Sequence, residues 1–188
     1  MPVVICLPPD KSIVLIGLMG AGKTSVGRRL GMQLGLPFID VDEEVVIAAG
    51  CSIDDIFELY GEASFREVEK KVISRLLSNG RQVLATGGGA FMAPETRAMI
   101  RDKGISVWLR ADIETLFKRT RRRGGRPLLE TDDPYATLEK LISIRYPVYA
   151  ESDIVIDSND ETPTTTTKRV AEAVDAFIKR KVGPRENP

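Results

Sequence analysis

The feature that most constrains this chain is a glycine-rich run between a short apolar segment and a stretch with helical spacing. Residues 17–24 (GLMGAGKT) match the pattern GxxxxGK[ST]. They follow residues 12–17 (SIVLIG), a β-branched run typical of a strand buried in a parallel sheet. Glycines let the backbone turn tightly, so that N–H groups and the positive end of the next helix surround phosphate groups. The run therefore predicts a phosphate-binding loop, or P-loop.

Two side chains of the loop carry chemistry. The Lys23 ammonium can bridge the β- and γ-phosphates of a nucleoside triphosphate, and the Thr24 hydroxyl can ligate Mg²⁺. The alternative is a glycine-rich turn without a ligand, which the flanking strand and helix patterns disfavour. A P-loop alone does not separate kinases from GTPases, motor ATPases or nucleotide sensors. We expect a nucleotide-dependent transfer of the terminal phosphate to a small molecule, with the acceptor site elsewhere in the chain.

Four further apolar runs bring the number of predicted parallel strands to five; they span residues 36–39, 82–86, 105–109 and 154–156. Stretches with helical spacing separate them, as in βαβ units. One of these has an apolar stripe at Val68, Val72 and Leu76. The four threonines of residues 164–167 are interpreted as the approach to a last helix over residues 168–179. We predict one α/β domain over residues 1–188, with tails at 1–10 and 182–188.

The composition excludes several classes of protein. Lys+Arg and Asp+Glu both number 27, so no overall charge favours nucleic acid or an anionic membrane. Cys6 and Cys51 lack a paired spacing, and the chain has no histidine to complete a zinc site. No stretch approaches the roughly 20 apolar residues that span a bilayer. We expect a cytoplasmic monomer whose partners are small molecules, with no nucleic acid and no membrane.

An acidic pair, Asp40 and Asp42, closes the second predicted strand. The i, i+2 spacing would put both carboxylates on one side of an extended segment. Because the P-loop would hold Mg²⁺ nearby, one carboxylate can serve the metal shell and the other a substrate hydroxyl. The alternative is a solvated strand end at which Asp42 caps a helix that begins at Glu43.

Two further patterns point to a ligand site. Arg66 leads into a helix with Glu69 one turn later. Its planar guanidinium favours bidentate carboxylate recognition, and Glu69 can hold it in place, although a plain surface ion pair is the alternative. Residues 87–89 (GGG) end the third strand, where α/β proteins bind ligands and where backbone can approach a ligand closely. A flexible turn is the alternative for these glycines.

A basic segment, residues 118–126 (KRTRRRGGR), has six basic residues in nine and runs into Pro127. It is interpreted as a flap that closes over ATP and brings arginine to the transferring phosphoryl group. The alternatives are a solvated charge run or an RNA-binding patch; balanced overall charge and the lack of interleaved aromatic residues argue against RNA.

Arg145 lies four residues before Tyr149 on the following predicted helix, and by itself would be a surface or structural arginine.

Taken in order, these pieces resemble the shikimate kinase family. The match runs from Gly17 to about Ile156 and includes the P-loop, DxD, GExxFRxxE, GGG, RPLL and RxxxY. The resemblance implies an α/β three-layer P-loop NTPase fold of the nucleoside-monophosphate-kinase type, with strand order 2-3-1-4-5. It implies a substrate-binding insertion at about residues 40–70 and a lid at about residues 119–133. It also implies Mg²⁺-dependent transfer of the ATP γ-phosphate to the 3-hydroxyl of shikimate.

The resemblance implies a role for each matching position. The ATP phosphate site would comprise Gly20, Ala21, Gly22, Lys23, Thr24 and Ser25. The Mg²⁺ residues would be Thr24 and Asp40. Shikimate would be bound by Asp42, Arg66, Gly87, Gly88, Gly89 and Arg145. The catalytic residues would be Lys23, Asp42 and the lid arginine Arg126, which would also contact the nucleotide phosphates.

Some positions depart from the family pattern. Val41 stands where the DxD motif often has Thr or Ser, residues 158–163 give no clear adenine-contact motif, and the third strand lacks a Walker B aspartate. A gluconate-kinase-like enzyme is the nearest alternative on the same fold. A paralogue that binds ATP without turning over a substrate is the alternative of another class. It is disfavoured by four intact residues, Lys23, Thr24, Asp42 and Arg126.

Overall fold

A five-stranded parallel sheet forms the centre of the protein. The computed structural model describes residues 5–121, 132–159 and 161–182. The strands are β1 (Ser12–Ile16), β2 (Phe38–Asp40), β3 (Val83–Ala85), β4 (Gly104–Arg110) and β5 (Ile154–Asp157). All neighbours pair in parallel, in the order β2-β3-β1-β4-β5. The five predicted strands and their order are confirmed.

Helices cover both faces of this sheet. Within the described residues they are α1 (Lys23–Leu34), α2 (Val41–Ala49), α3 (Ile53–Leu77), α4 (Pro94–Lys103), α5 (Ile113–Arg121), α6 (Pro134–Tyr149) and α7 (Pro163–Val182). A short 3-10 turn spans Ala90–Met92. Helix α1 packs against α7, and α3 packs against α4, which makes the two outer layers. None of the described helices is long and apolar enough to cross a membrane.

The start of the last helix differs from the prediction. Helix α7 begins at Pro163, so residues 164–167 lie inside it and are not an approach to it. The backbone N–H of Thr165 donates to the Thr162 hydroxyl at 3.2 Å, which caps the helix. The hydroxyls of Thr166 and Thr167 donate to carbonyls four residues earlier. Because Thr166 and Thr167 are buried, these local bonds satisfy hydroxyls that would otherwise lack partners.

The acidic pair is also arranged differently from the prediction. Strand β2 ends at Asp40, and α2 begins at Val41, so the extended segment predicted for residues 40–42 is wrong. Asp40 is the N-cap residue: its Oδ1 accepts the backbone N–H of Asp42 at 3.2 Å. Val41 is fully buried and anchors the first turn in the core. The predicted capping role of Asp42 therefore belongs to Asp40.

Helix α3 begins earlier than the sequence pattern indicates and contains a break. Ser52 caps it together with Asp55, and Gly61 interrupts it with φ 78° and ψ 171°. This backbone conformation strongly favours glycine. Helix α3 packs with α2, and Val72, Ile73 and Leu76 after the break lie in the core. The substrate-binding insertion predicted at about residues 40–70 overlaps this helical pair, and its role stays a prediction.

Helix α1 approaches the sheet closely because two of its residues are glycines. A β carbon on Gly31 would lie 2.8 Å from the carbonyl oxygen of Leu36, and one on Gly27 would overlap the ring of Phe38. The backbones can therefore approach to a distance that any larger residue would prevent. This close packing holds the start of α1 near the end of β2.

We predict that Gly31→Ala lowers the free energy of unfolding by about 1–3 kcal/mol, because the added methyl group meets backbone that cannot move aside. At a solvent-exposed position inside a helix, the same change would stabilise the protein by about 1 kcal/mol. Urea denaturation measures the difference, with Met32→Ala as the control because Met32 lies on the same helix and is 83% exposed. A more stable Gly31→Ala protein would contradict the close packing of α1 on β2.

Candidate active site

The P-loop joins β1 to α1 and concentrates positive charge at the carboxyl end of the sheet. Gly20 and Gly22 have φ of 81° and 95°, values that favour glycine. Gly22 is the N-cap of α1 and has no side chain to bond the first helical N–H groups. The Lys23 ammonium lies over the loop and donates to the carbonyls of Gly17 at 2.8 Å and Leu18 at 3.0 Å. The concave surface formed by the P-loop therefore suits an anion.

The two predicted metal residues contact each other. The Thr24 hydroxyl donates to Asp40 Oδ2 at 3.0 Å. Close packing of α1 on β2 produces this contact, since Thr24 begins α1 and Asp40 ends β2. Over the described residues, no group of three or more His, Cys, Asp or Glu side chains could hold a metal ion. The metal-binding role of Thr24 and Asp40 stays a prediction.

One cavity of about 480 Å³ joins the P-loop to the acidic pair. All six predicted phosphate-site residues line it, and so do Asp40, Asp42 and the end of β3; the six are Gly20, Ala21, Gly22, Lys23, Thr24 and Ser25. A concave site of this size is typical of small-molecule binding. The far end of the cavity is lined by Arg119, Ser158, Glu161 and Pro163.

Arg119 ties this far end to the P-loop. Its guanidinium donates to the Ser158 carbonyl at 2.6 Å and to the Gly20 carbonyl at 3.4 Å. The Ser158 hydroxyl in turn donates to the Ala21 carbonyl at 3.2 Å. Sequence reasoning did not single out these residues, and the one available signal was the position of Arg119 inside the basic segment.

The basic segment is partly helical. Residues 118–121 form the end of α5, and the role of residues 118–126 as a flap stays a prediction. The hydrophobic residues Leu116 and Phe117 pack into or against the core and continue the helix into the basic run. Arg126 and most of the lid predicted at about 119–133 lie outside the described residues.

The three glycines after β3 lie beside four ionic side chains. A β carbon on Gly87 would lie 2.8 Å from both Asp42 Oδ1 and Glu69 Oε1. A β carbon on Gly88 would lie 2.8 Å from Arg145 Nη1, and one on Gly89 would overlap the guanidinium of Arg66. The fold therefore brings together all six predicted shikimate-binding residues, namely Asp42, Arg66, Gly87, Gly88, Gly89 and Arg145.

Arg66 is held by two carboxylates of different exposure. Its Nη1 lies 2.7 Å from Glu69 Oε2, and its Nη2 lies 3.0 Å from Glu62 Oε1. The Glu69 side chain is only 3% exposed, so the alternative of a plain surface ion pair is wrong. Burial raises the pKa of Glu69 above its usual value, and the neighbouring Arg66 opposes this effect.

Tyr149 connects Arg145 to the glycine segment. It is fully buried, and its hydroxyl donates to the carbonyl of Gly88. Burial raises its pKa to about 12, while nearby Arg145 opposes the shift. The ring packs against Trp108 and Phe91 with centroid distances of 5.8 and 6.4 Å. The aromatic packing therefore fixes the end of α6, from which Arg145 reaches the site.

Comparisons with known proteins agree with this geometry. A family model described as shikimate kinase matches residues 19–179. A shikimate kinase of Paramagnetospirillum magneticum is 54% identical over 168 residues, covering 89% of this chain and 86% of the relative. A shikimate kinase of Rhodopseudomonas palustris is 56% identical over 151 residues, covering 80% of this chain and 74% of the relative. The structure of shikimate kinase from Acinetobacter baumannii in complex with shikimate superposes with a TM-score of 0.81 at 36% identity. The superposition covers 96% of this chain and 97% of that one. The chain therefore belongs to the shikimate kinase family of ATP-dependent phosphotransferases.

Proposed function

We propose that this chain transfers the γ-phosphate of ATP to the 3-hydroxyl of shikimate, giving shikimate 3-phosphate and ADP. This reaction lies on the pathway to chorismate and the aromatic amino acids. The observation that carries the proposal is the convergence of two anion sites at one edge of the sheet. Asp42 belongs to both, because it lines the P-loop cavity and also faces Gly87 and Glu69.

On the nucleotide side, residues 20–25 would surround the phosphates with backbone N–H groups. The Lys23 ammonium, which now bonds the carbonyls of Gly17 and Leu18, would turn to the β- and γ-phosphates. Arg126 would supply a further positive charge to stabilise the negative charge that spreads over the transferring phosphoryl group. This last assignment is supported by the resemblance and concerns a residue outside those described.

Thr24 and Asp40 would hold Mg²⁺ together with phosphate oxygens and water. The donor set fits, since hydroxyl and carboxylate oxygens are ligands that Mg²⁺ prefers. When bound, the ion would neutralise charge on the β- and γ-phosphates. The contact of 3.0 Å between Thr24 Oγ1 and Asp40 Oδ2 supports a shared role for the two side chains.

The far end of the cavity would receive the adenine base. The flat guanidinium of Arg119 and the ring of Pro163 line this end, and both present surfaces that can pack against a planar base. The hydrogen bonds of Arg119 to Ser158 and Gly20 would hold that guanidinium in place. Ser158, Glu161 and Pro163 would thus contribute to a base site although residues 158–163 contain no recognisable sequence motif.

On the acceptor side, Arg66 and Arg145 would bind the carboxylate of shikimate. Charge-assisted bonds from two guanidinium groups suit a carboxylate better than the uncharged hydroxyls of a sugar. Residues 87–89 would approach the ring through backbone alone. Asp42 would accept a hydrogen bond from the reacting hydroxyl, orient its oxygen toward the phosphorus and take the proton late in the reaction.

Arg66 and Arg145, the proposed carboxylate-binding pair, favour shikimate over gluconate only in part, because gluconate is also a carboxylic acid. Family membership favours shikimate. It also disfavours a paralogue that binds ATP without turnover. A cytoplasmic monomer without nucleic-acid or membrane partners remains a prediction from the composition.

The acceptor is tested by measuring ADP release with shikimate, quinate, gluconate and no acceptor, each with and without Mg²⁺. We expect rapid release with shikimate and Mg²⁺ together and only slow release otherwise, because the hydroxyl to be phosphorylated must be positioned next to Asp42. Equal release with gluconate, or release without any acceptor, would contradict the proposed substrate.

The carboxylate-binding pair gives a second prediction. Arg66→Ala and Arg145→Ala should each raise the KM for shikimate about tenfold to a hundredfold, with little change in the KM for ATP. Lysine at either position should restore binding only in part, because it keeps the charge but loses the planar fork. Arg75→Ala is the matched control, since Arg75 lies on the same helix as Arg66 but pairs with Glu44. Equal weakening of ATP and shikimate would argue against a carboxylate site.

The acidic pair gives a third prediction, in which its members behave differently. Asp42→Asn should lower kcat by about two to four powers of ten while ATP affinity stays nearly native, because the hydroxyl loses its charged acceptor. Asp40→Asn should raise the Mg²⁺ concentration that is needed for half-maximal rate. Independent titrations of Mg²⁺ and shikimate separate the two effects. Full recovery of Asp42→Asn at high Mg²⁺ would place Asp42 on the metal side.

A further inference from the structure

One carboxylate oxygen at the acceptor site is buried without a partner. The Glu69 side chain is 3% exposed, and its Oε2 lies 2.7 Å from Arg66 Nη1. Its other oxygen, Oε1, has no hydrogen-bond partner among the described residues. That oxygen faces the space above Gly87, which Asp42 Oδ1 also faces. Burying an ionised oxygen without a donor, beside a second carboxylate, costs free energy that a proton would remove.

Charged groups of three elements surround this carboxylate. On α3 these are Arg66 and, on its exposed side, Glu62. On α2 the group is Asp42, which raises the pKa of Glu69, and on α6 it is Arg145, which lowers it. Glu69 also acts on the Tyr149 phenol of α6, which stays neutral because its pKa is about 12.

Helix α4 also packs against α3, and its residue Arg97 has other partners. The Arg97 guanidinium donates to the carbonyls of Phe91 and Met92 and pairs with Glu151 at 3.3 Å. Apart from the exposed Glu62, whose charge solvent screens, the balance around Glu69 is therefore set by two carboxylates and two guanidinium groups. Their charges sum to zero when Glu69 is ionised. The four are Asp42, Glu69, Arg66 and Arg145.

A bound acid changes this balance. Resting on the function proposed above, the carboxylate of shikimate adds one negative charge and becomes a second anionic partner of Arg66. Arg66 is the group that most favours the ionised form of Glu69. Because Arg66 is then shared with the substrate carboxylate, it stabilises ionised Glu69 less. The bound substrate also increases the burial of Glu69, which further favours the neutral form. A proton on Glu69 restores neutrality and supplies an O–H donor on the side that faces Asp42.

We propose that Glu69 takes up a proton when shikimate binds. Neutral Glu69 still accepts from Arg66 through Oε2, so it keeps positioning the guanidinium without competing as an anion with the substrate carboxylate. Asp42 keeps its own charge for the reacting hydroxyl. Glu69 is thus a positioning residue whose charge depends on whether the acceptor is present.

The sign of the pH dependence follows from linkage. If the complex binds more protons than the free protein, affinity for shikimate falls as pH rises. The fall begins above the pKa of Glu69 in the free protein and ends above its higher pKa in the complex. For one proton the dissociation constant rises at most about tenfold per pH unit.

The test is calorimetry of shikimate binding to the intact protein in buffers of different ionisation enthalpy, at several values between about pH 5 and 9. Wild-type protein should take up a measurable fraction of one proton, and its dissociation constant should rise with pH. Glu69→Gln mimics the neutral acid, so it should bind with no proton uptake and an affinity that is independent of pH. Glu62→Gln is the matched control: it removes a 66%-exposed carboxylate from the same arginine and should keep the uptake.

Three results would overturn the inference. The first is wild-type binding without proton uptake, a measurement that needs no variant to fold. The second is uptake that persists in Glu69→Gln, which would assign the proton to another group. The third is weak binding by Glu69→Gln at every pH, which would mean that ionised Glu69 is required. A lack of shikimate binding under all conditions would overturn the proposed function as well, whereas binding without uptake would overturn this inference alone.

Discussion

The parallel pairing of β1 with β3 is the constraint on which the site depends. The register aligns Leu15 with Ala85, and the backbone N–H of Thr86 extends the ladder by donating to the Leu15 carbonyl at 3.1 Å. Because parallel strands end at the same edge of a sheet, the loops that follow them lie side by side. The P-loop follows β1 and the three glycines follow β3, so the P-loop and the proposed acceptor site become neighbours. The short β2 on the other side of β3 adds Asp40 to the same edge.

Charge compensation is the second condition for this site. Arg66 is partly buried, and its favourable contacts with Glu69 and Glu62 offset the loss of hydration. Removing one member of such a group leaves the others buried without compensation, which costs more than the pair contributes. Glycine at 87–89 is the steric counterpart, since any side chain there would displace the ionic groups of the proposed acceptor site. Charge and available space therefore constrain the same few residues.

The interpretation of the acidic pair illustrates where local pattern reasoning fails. Alternation along a strand was the wrong geometry for Asp40 and Asp42, because β2 lasts only three residues and α2 begins at once. The two carboxylates still reach one cavity, since an N-cap residue and a residue in the first helical turn both lie near the helix start. The predicted neighbourhood was right although the predicted secondary structure was wrong. The same holds for residues 164–167, where capping by Thr162 starts the helix one turn early.

The amino-acid sequence by itself determined the P-loop, the five strands and, through the resemblance, the strand order and the family. These features depend on short local patterns, such as glycines before Lys23 and runs of β-branched residues, whose physical meaning changes little with context. Only the tertiary structure decided which side chains meet across elements. The burial of Glu69, the contact of Arg145 with Gly88 and the contact of Arg119 with Gly20 depend on residues that are distant in sequence. Such contacts depend on the relative placement of helices and strands, which results from packing over the whole core and leaves no signal in any one segment.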